Sequence, residues 1–293
     1  MIDEPSLRQR WIGTRLAALR HDAGLSLQQA SDAAERSTAS LSRIENGLVS
    51  LRPRDLRPLL DAYGVTEGDL RETLIAVAGE IQAERRGWWV EHDDDLSPSY
   101  RDLLRLESTA THIRTYETTV LPGLLQHEDY ARAAVRATGA DDLSEDDLDH
   151  FVAIRKQRQH ILTCEENPVA FHAVLHEAAL HEHLGKPAVL PAQAEHLRNL
   201  CELPNVNVQL LPLAAGAHPA LTGAFTVLSM SHLDFAHVEL MTSDVYVEDP
   251  VGVQRYRDAF QTLTERALPP DESAPAIADK ITMTAESTPR AAR

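Results

Sequence analysis

The stretch that most constrains this chain is Gly24 to Gly47, GLSLQQASDAAERSTASLSRIENG. Ser26 followed three residues later by Gln29 is a capping-box pair that starts a helix. Leu27, Ala30 and Ala34 then fall at i, i+3 and i+7, which gives that helix one apolar stripe. Glu35-Arg36 breaks the stripe, and Ser37 is a second N-cap candidate. Leu41 and Ile44 give the next helix a buried edge. Asn46-Gly47 ends it, because both residues tolerate the left-handed conformation of a helix C-terminus. The reading is two short helices with a tight link.

The second of these helices is lopsided. Apart from Leu41 and Ile44, it carries Thr38, Ala39, Ser40, Ser42, Arg43, Glu45 and Asn46. Small side chains let a helix approach another surface closely. Hydroxyls, an amide and a guanidinium bond to phosphates and base edges. These are the requirements of a helix lying in a DNA major groove, although a surface helix in a small bundle has similar composition.

The stretch resembles the helix-turn-helix of Cro/lambda-repressor (xenobiotic-response-element) type. The most specific part is LSRIENG, Leu41 to Gly47, with Arg15 to Arg20 before it and Leu56 to Val65 after it. The resemblance covers roughly residues 8–75. It implies that Thr38, Ala39, Ser42 and Arg43 contact bases or the groove. Ser37 and Asn46, with Gln28 and Arg52 from flanking elements, are then expected to hold phosphates. Ser31 stands where the family has a small Ala between the two helices, and Glu35-Arg36 replaces the Gly and hydrophobe of its turn.

Charge is distributed unevenly. The chain has a net charge of −17. Residues 1–64 hold nine arginines, no lysine and eight carboxylates, a net of +1, and the other 229 residues hold 19 basic and 37 acidic side chains. Charges more than roughly 10 Å apart are largely screened at physiological salt, so the local balance governs docking. A net of +1 is low for a nucleic-acid module, which predicts modest affinity per protomer and a homodimer.

The rest reads as an α+β chain: an N-terminal all-α five-helix helix-turn-helix domain, then a mixed α/β C-terminal domain. The expected division is a frayed segment at 1–7, a DNA-binding domain with connecting helix at 8–86, a C-terminal sensing or interaction domain at 87–268 and a disordered tail at 269–293. Arg8, Arg10, Arg15 and Arg20 read as solvated arginines or as phosphate contacts, and Arg54 and Arg57 are further phosphate candidates. Leu70, Leu74, Val77 and Ile81 recur at helix–helix seam spacing, either for a dimer contact or for packing on the second domain. Strands are expected near 113–120, 169–175, 206–211, 225–230, 236–241 and 245–248, and helices near 126–138, 144–163, 177–184 and 191–201. The basic second half of the 144–163 helix reads as internal charge pairing or as a partner-binding face. A final helix carries Val253, Tyr256, Phe260, Leu263 and Ala267. From Pro269 on, Pro, Ala, Ser, Thr and charge dominate.

RTYETTVLPGLLQHEDYARA, AIRKQRQHIL, PNVNVQLLPLAAG and GAFTVL, in that order, then Val245 to Glu248, resemble the actinobacterial WhiJ-like regulators. That resemblance spans about 8–268. It implies a transcription factor, antitoxin-like, whose second domain binds a small effector or a small protein encoded nearby. The alternative it leaves is an interaction module for which DNA binding is secondary.

No enzymatic signature stands out. His172, His176, His181 and His183 crowd one segment, but HEAALH places the second histidine one residue late for a zinc-binding HExxH. There is no GxSxG and no phosphate-cradling glycine loop. Acidic pairs such as Asp93-Asp94 and Asp141-Asp142 sit in solvated runs. Cys164 and Cys201 make neither a disulfide framework nor a metal spacing. No cofactor, metal or catalytic activity is expected. No apolar run is long enough for a membrane span and MIDEPSLRQRW has no signal-peptide core, so a cytoplasmic protein is expected.

Overall fold

The computed structural model describes residues 5–84, 87–92, 96–138, 143–182, 184 and 188–287. Asp93-Asp94, Asp141-Asp142, His183 and residues 288–293 lie outside them. The fold is α+β, and it divides into two compact units, Met1–Thr109 with Ser231–Leu233, and Ala110–Met230 with Asp234–Arg293.

The N-terminal unit is helical: α1 (Leu7–Asp22), α2 (Leu27–Ala33), α3 (Thr38–Glu45), α4 (Pro53–Ala62), α5 (Asp69–Glu84) and α6 (Pro98–Glu107). Leu16, Leu41, Leu56, Leu60, Leu74 and Val77 are fully buried together. The expected seam is therefore mostly internal: Leu74, Val77 and Ile81 belong to this core, and only Leu70 stays exposed. Ser6, expected to be frayed, caps α1 in a capping box with Gln9, and Leu7 is buried.

The boundary falls after Thr109 rather than near residue 86, because α6 is tied to α1. Asp102 accepts from the Leu7 amide at 3.2 Å and pairs with Arg10 at 3.0 Å. Arg8 is only 1% exposed and lies 3.5 Å from Glu80. Arg8 and Arg20 thus serve the interior of the unit, which corrects their reading as phosphate contacts, while Arg10 stays exposed beside Asp102.

The second unit is built on one six-stranded sheet in the order β3-β2-β1-β4-β5-β6. The strands are β1 (His112–Glu117), β2 (Ala170–His176), β3 (Val206–Leu211), β4 (Phe225–Ser229), β5 (Asp234–Glu239) and β6 (Asp244–Val247). β1, β2 and β3 are parallel, and β4, β5 and β6 add as an antiparallel meander. Parallel neighbours need long crossovers. α7 (Glu128–Thr138) and α8 (Glu145–Arg158) supply the first, and α9 (Val189–Cys201) the second. The basic end of α8 pairs internally, with Lys156 3.1 Å from Glu128 and Arg155 2.8 Å from Gln126. Within 177–184, expected to be a helix, the described residues form a short 3₁₀ turn at Glu177–Leu180. α10 (Pro250–Arg266) lays Val253, Phe260 and Leu263 on the sheet.

The expectation of disorder after Pro269 is corrected by α11 (Pro270–Ser287). Ile277 and Ile281, one turn apart, are each 2% exposed. The segment also closes the open edge of β3. The Leu268 amide donates to Leu210 O at 2.8 Å, and Ser273 Oγ accepts from the Leu210 amide at 3.0 Å. Covering an edge strand satisfies main-chain groups that would otherwise invite association.

Candidate nucleic-acid interface

α2, its turn and α3 form the site. Ser26 and Gln29 make the reciprocal capping box, with Gln29 N to Ser26 Oγ at 3.2 Å and Ser26 N to Gln29 Oε1 at 2.9 Å. The helix then stops in a Schellman arrangement, in which Arg36 N donates to Ser31 O at 2.8 Å and Glu35 N to Asp32 O at 3.2 Å. That arrangement needs a left-handed residue, and here Glu35 takes it, at φ 52°. Ser31, in the place of a packing Ala, is buried and turns its hydroxyl back to Gln28 O at 2.9 Å.

Ser37 caps α3 by accepting from Ser40 N at 3.1 Å. Leu41 and Ile44 are buried beneath the helix. Thr38, Ala39, Ser42 and Arg43, at i, i+1, i+4 and i+5, therefore share the opposite side; Ala39 and Arg43 are exposed, Thr38 and Ser42 partly so. The four groove candidates are thus brought together, and none of the described residues pairs with the Arg43 guanidinium.

The phosphate candidates divide. Arg52, exposed at the N-cap of α4, uses no side-chain capping bond. Ser37 keeps its hydroxyl proton for an external acceptor while its oxygen caps. Asn46 Nδ2 donates to Ser42 O at 2.7 Å, which leaves one amide hydrogen outward. Gln28 is exposed, but its amide donates to Asp32 Oδ1 at 2.8 Å, so a carboxylate stands beside it.

α3 is held by a clamp that sequence reading did not find. Arg20 donates to both Glu45 oxygens, at 2.7 and 2.9 Å, and to Leu25 O at 2.9 Å. Tyr63 donates to Glu45 Oε1 at 3.4 Å. The hydrogen bond to Glu45 raises the Arg20 pKa against the opposing effect of burial. The main chains also touch. A Cβ on Gly13 would meet Glu45 O at 2.6 Å, and one on Gly47, at φ 72°, would meet the Arg10 Cα at 3.0 Å. The available signal was Gly13, a glycine inside an otherwise regular helix, which marks a close backbone approach.

The histidines of 172–181 do separate work. His172 shares a hydrogen bond with Gln209 at 2.7 Å, His176 caps the turn after β2, and exposed His181 lies 3.8 Å from Glu177.

Residues 11–74 match a family described as a helix-turn-helix domain, and residues 100–279 match one described as a domain of unknown function (DUF5753). No curated protein and no solved structure matches the chain. No described helix is long and apolar enough to cross a membrane.

Proposed function

The chain belongs to the DUF5753 family, and we propose that it is a sequence-specific transcriptional regulator that reads double-stranded DNA with α3. The observation that carries this reading is the outward quartet Thr38, Ala39, Ser42 and Arg43 on a helix clamped through Arg20 and Glu45. A helix-turn-helix match over the same residues supports it. In the Cro/lambda-repressor geometry, Arg43 and Ser42 reach base edges while Ser37, Asn46, Gln28 and Arg52 hold the backbone. The protein works in the cytoplasm, without catalysis of its own, as a homodimer on half-sites about one DNA turn or a multiple of it apart. Its second unit binds a small effector or, in the WhiJ-like, antitoxin-like version, a small partner protein.

Titration of the full chain against its own upstream DNA at two salt concentrations tests this. Binding that weakens with salt and is lost in Ser42→Glu/Arg43→Glu is expected. Equal binding by wild type and the double variant would rule out α3 as the reading helix.

A further inference from the structure

On the α10 side of the sheet, Arg114 and Arg257 converge on one hydroxyl. Arg114 Nη1 and Arg257 Nη2 each donate to Ser229 Oγ at 3.1 Å. Ser229 is 6% exposed, at the end of β4. With both lone pairs engaged, its hydroxyl still has a proton to give, and none of the described residues accepts it. Arg257 Nε is buried and has no partner among the described residues.

The charge does not balance either. Asp234 pairs with Arg257. Arg114 has no carboxylate partner among the described residues. The ladder neighbours of Arg114 are Val227 and His172, whose ring packs edge-on against Phe260 at 5.0 Å between centroids. Burial first, then Arg114, lower the His172 pKa against its hydrogen bond to Gln209, and an imidazole supplies no negative charge. The Arg114 pKa is lowered, first by burial and then by Arg257, against the nearby Asp234 carboxylate. Two guanidiniums thus share one carboxylate in a half-buried place, although residues 65–293 hold about twice as many acids as bases. Partly desolvated like charges are costly without a counter-charge.

We infer that Arg114, Arg257 and Ser229 form a binding site for the oxyanion of a small effector, a carboxylate or a phosphate. The guanidiniums supply planar, charge-assisted donors, and the Ser229 hydroxyl supplies a third donor. This rests on the reading of the second unit as a sensor and specifies the chemistry it senses.

The test is thermal unfolding of the full chain in sodium phosphate, sodium acetate and sodium chloride at matched ionic strength. Wild type is compared with Arg114→Gln, Ser229→Ala and Arg43→Ala. At ten times its dissociation constant, the bound anion should raise Tm by about 3–5 °C over chloride. The shift should fall in Arg114→Gln and in Ser229→Ala and persist in Arg43→Ala. A phosphate-only shift identifies a phosphoryl effector, and a shift in acetate a carboxylate. The inference is overturned by a shift of equal size in wild type and both site variants, by a shift lost only in Arg43→Ala, or by no shift in either anion. The readout needs no DNA, so it can fail while DNA reading stands, and the reverse.

Discussion

Arg20 and Glu45 are joined by a two-pronged ion pair, 2.7 and 2.9 Å, with side chains only 10% and 8% exposed. The pair connects the C-terminal part of α1 to the last turn of α3. Removing one partner strands a mostly buried charge. Glu45→Gln or Arg20→Met should cost about 3 kcal/mol in urea unfolding, while the double change Arg20→Met/Glu45→Met should cost clearly less than the two singles added. A cost near zero for both single changes would show that the pair does not hold the helix.

Glu35 occupies a left-handed position at φ 52°. Non-glycine residues pay roughly 1–2 kcal/mol there, and glycine returns part of that as chain entropy. Glu35→Gly should stabilise the protein by about 0.5–1 kcal/mol, seen as a rise in Tm.

Glu117 at the end of β1 is held neutral into the slightly alkaline range. Burial first, then the nearby Glu239 carboxylate, push its pKa up to about 8, against the Thr115 hydroxyl and Arg158. The folded state then binds a proton that the unfolded chain releases near pH 4.5. Stability from this group is full below that pH and is lost as pH rises towards 8. The group keeps some exposure, so the loss between pH 5 and pH 8.5 should be about 2 kcal/mol, allowing for solvent screening. Glu117→Gln should flatten that slope in unfolding curves at the two pH values; an unchanged slope would assign it to other groups.

Ser273 and Leu268 close the edge of β3. Ser273→Ala leaves the Leu210 amide without its acceptor and should cost about 1–2 kcal/mol. A chain ending at Leu268 exposes that edge and the face covered by Ile277 and Ile281. It should sediment as aggregates where the full chain does not.

The helix-turn-helix and the strands were legible because they are local. Capping pairs, the Leu41–Ile44 spacing and strand alternation need only a few neighbouring residues. α11 was hidden because Pro275 and a run of small polar residues mask the single pair Ile277 and Ile281, and the surface they cover is made elsewhere. The place of α6 was hidden for a related reason. Asp102 meets Leu7 and Arg10 across 95 and 92 residues of chain, a separation that no periodicity reports. Arg8 and Arg20 read as solvated or phosphate-binding cations in sequence, and only their distant carboxylates, Glu80 and Glu45, show otherwise.

In the proposed reading of bases by α3, Arg43 is the longest outward donor. The most direct measurement is the base preference of wild type and Arg43→Ala on a randomised DNA library at fixed salt. The variant should relax its preference at one position of each half-site, by about 1–3 kcal/mol, and keep the others. An unchanged preference at every position, with unchanged affinity, would contradict it.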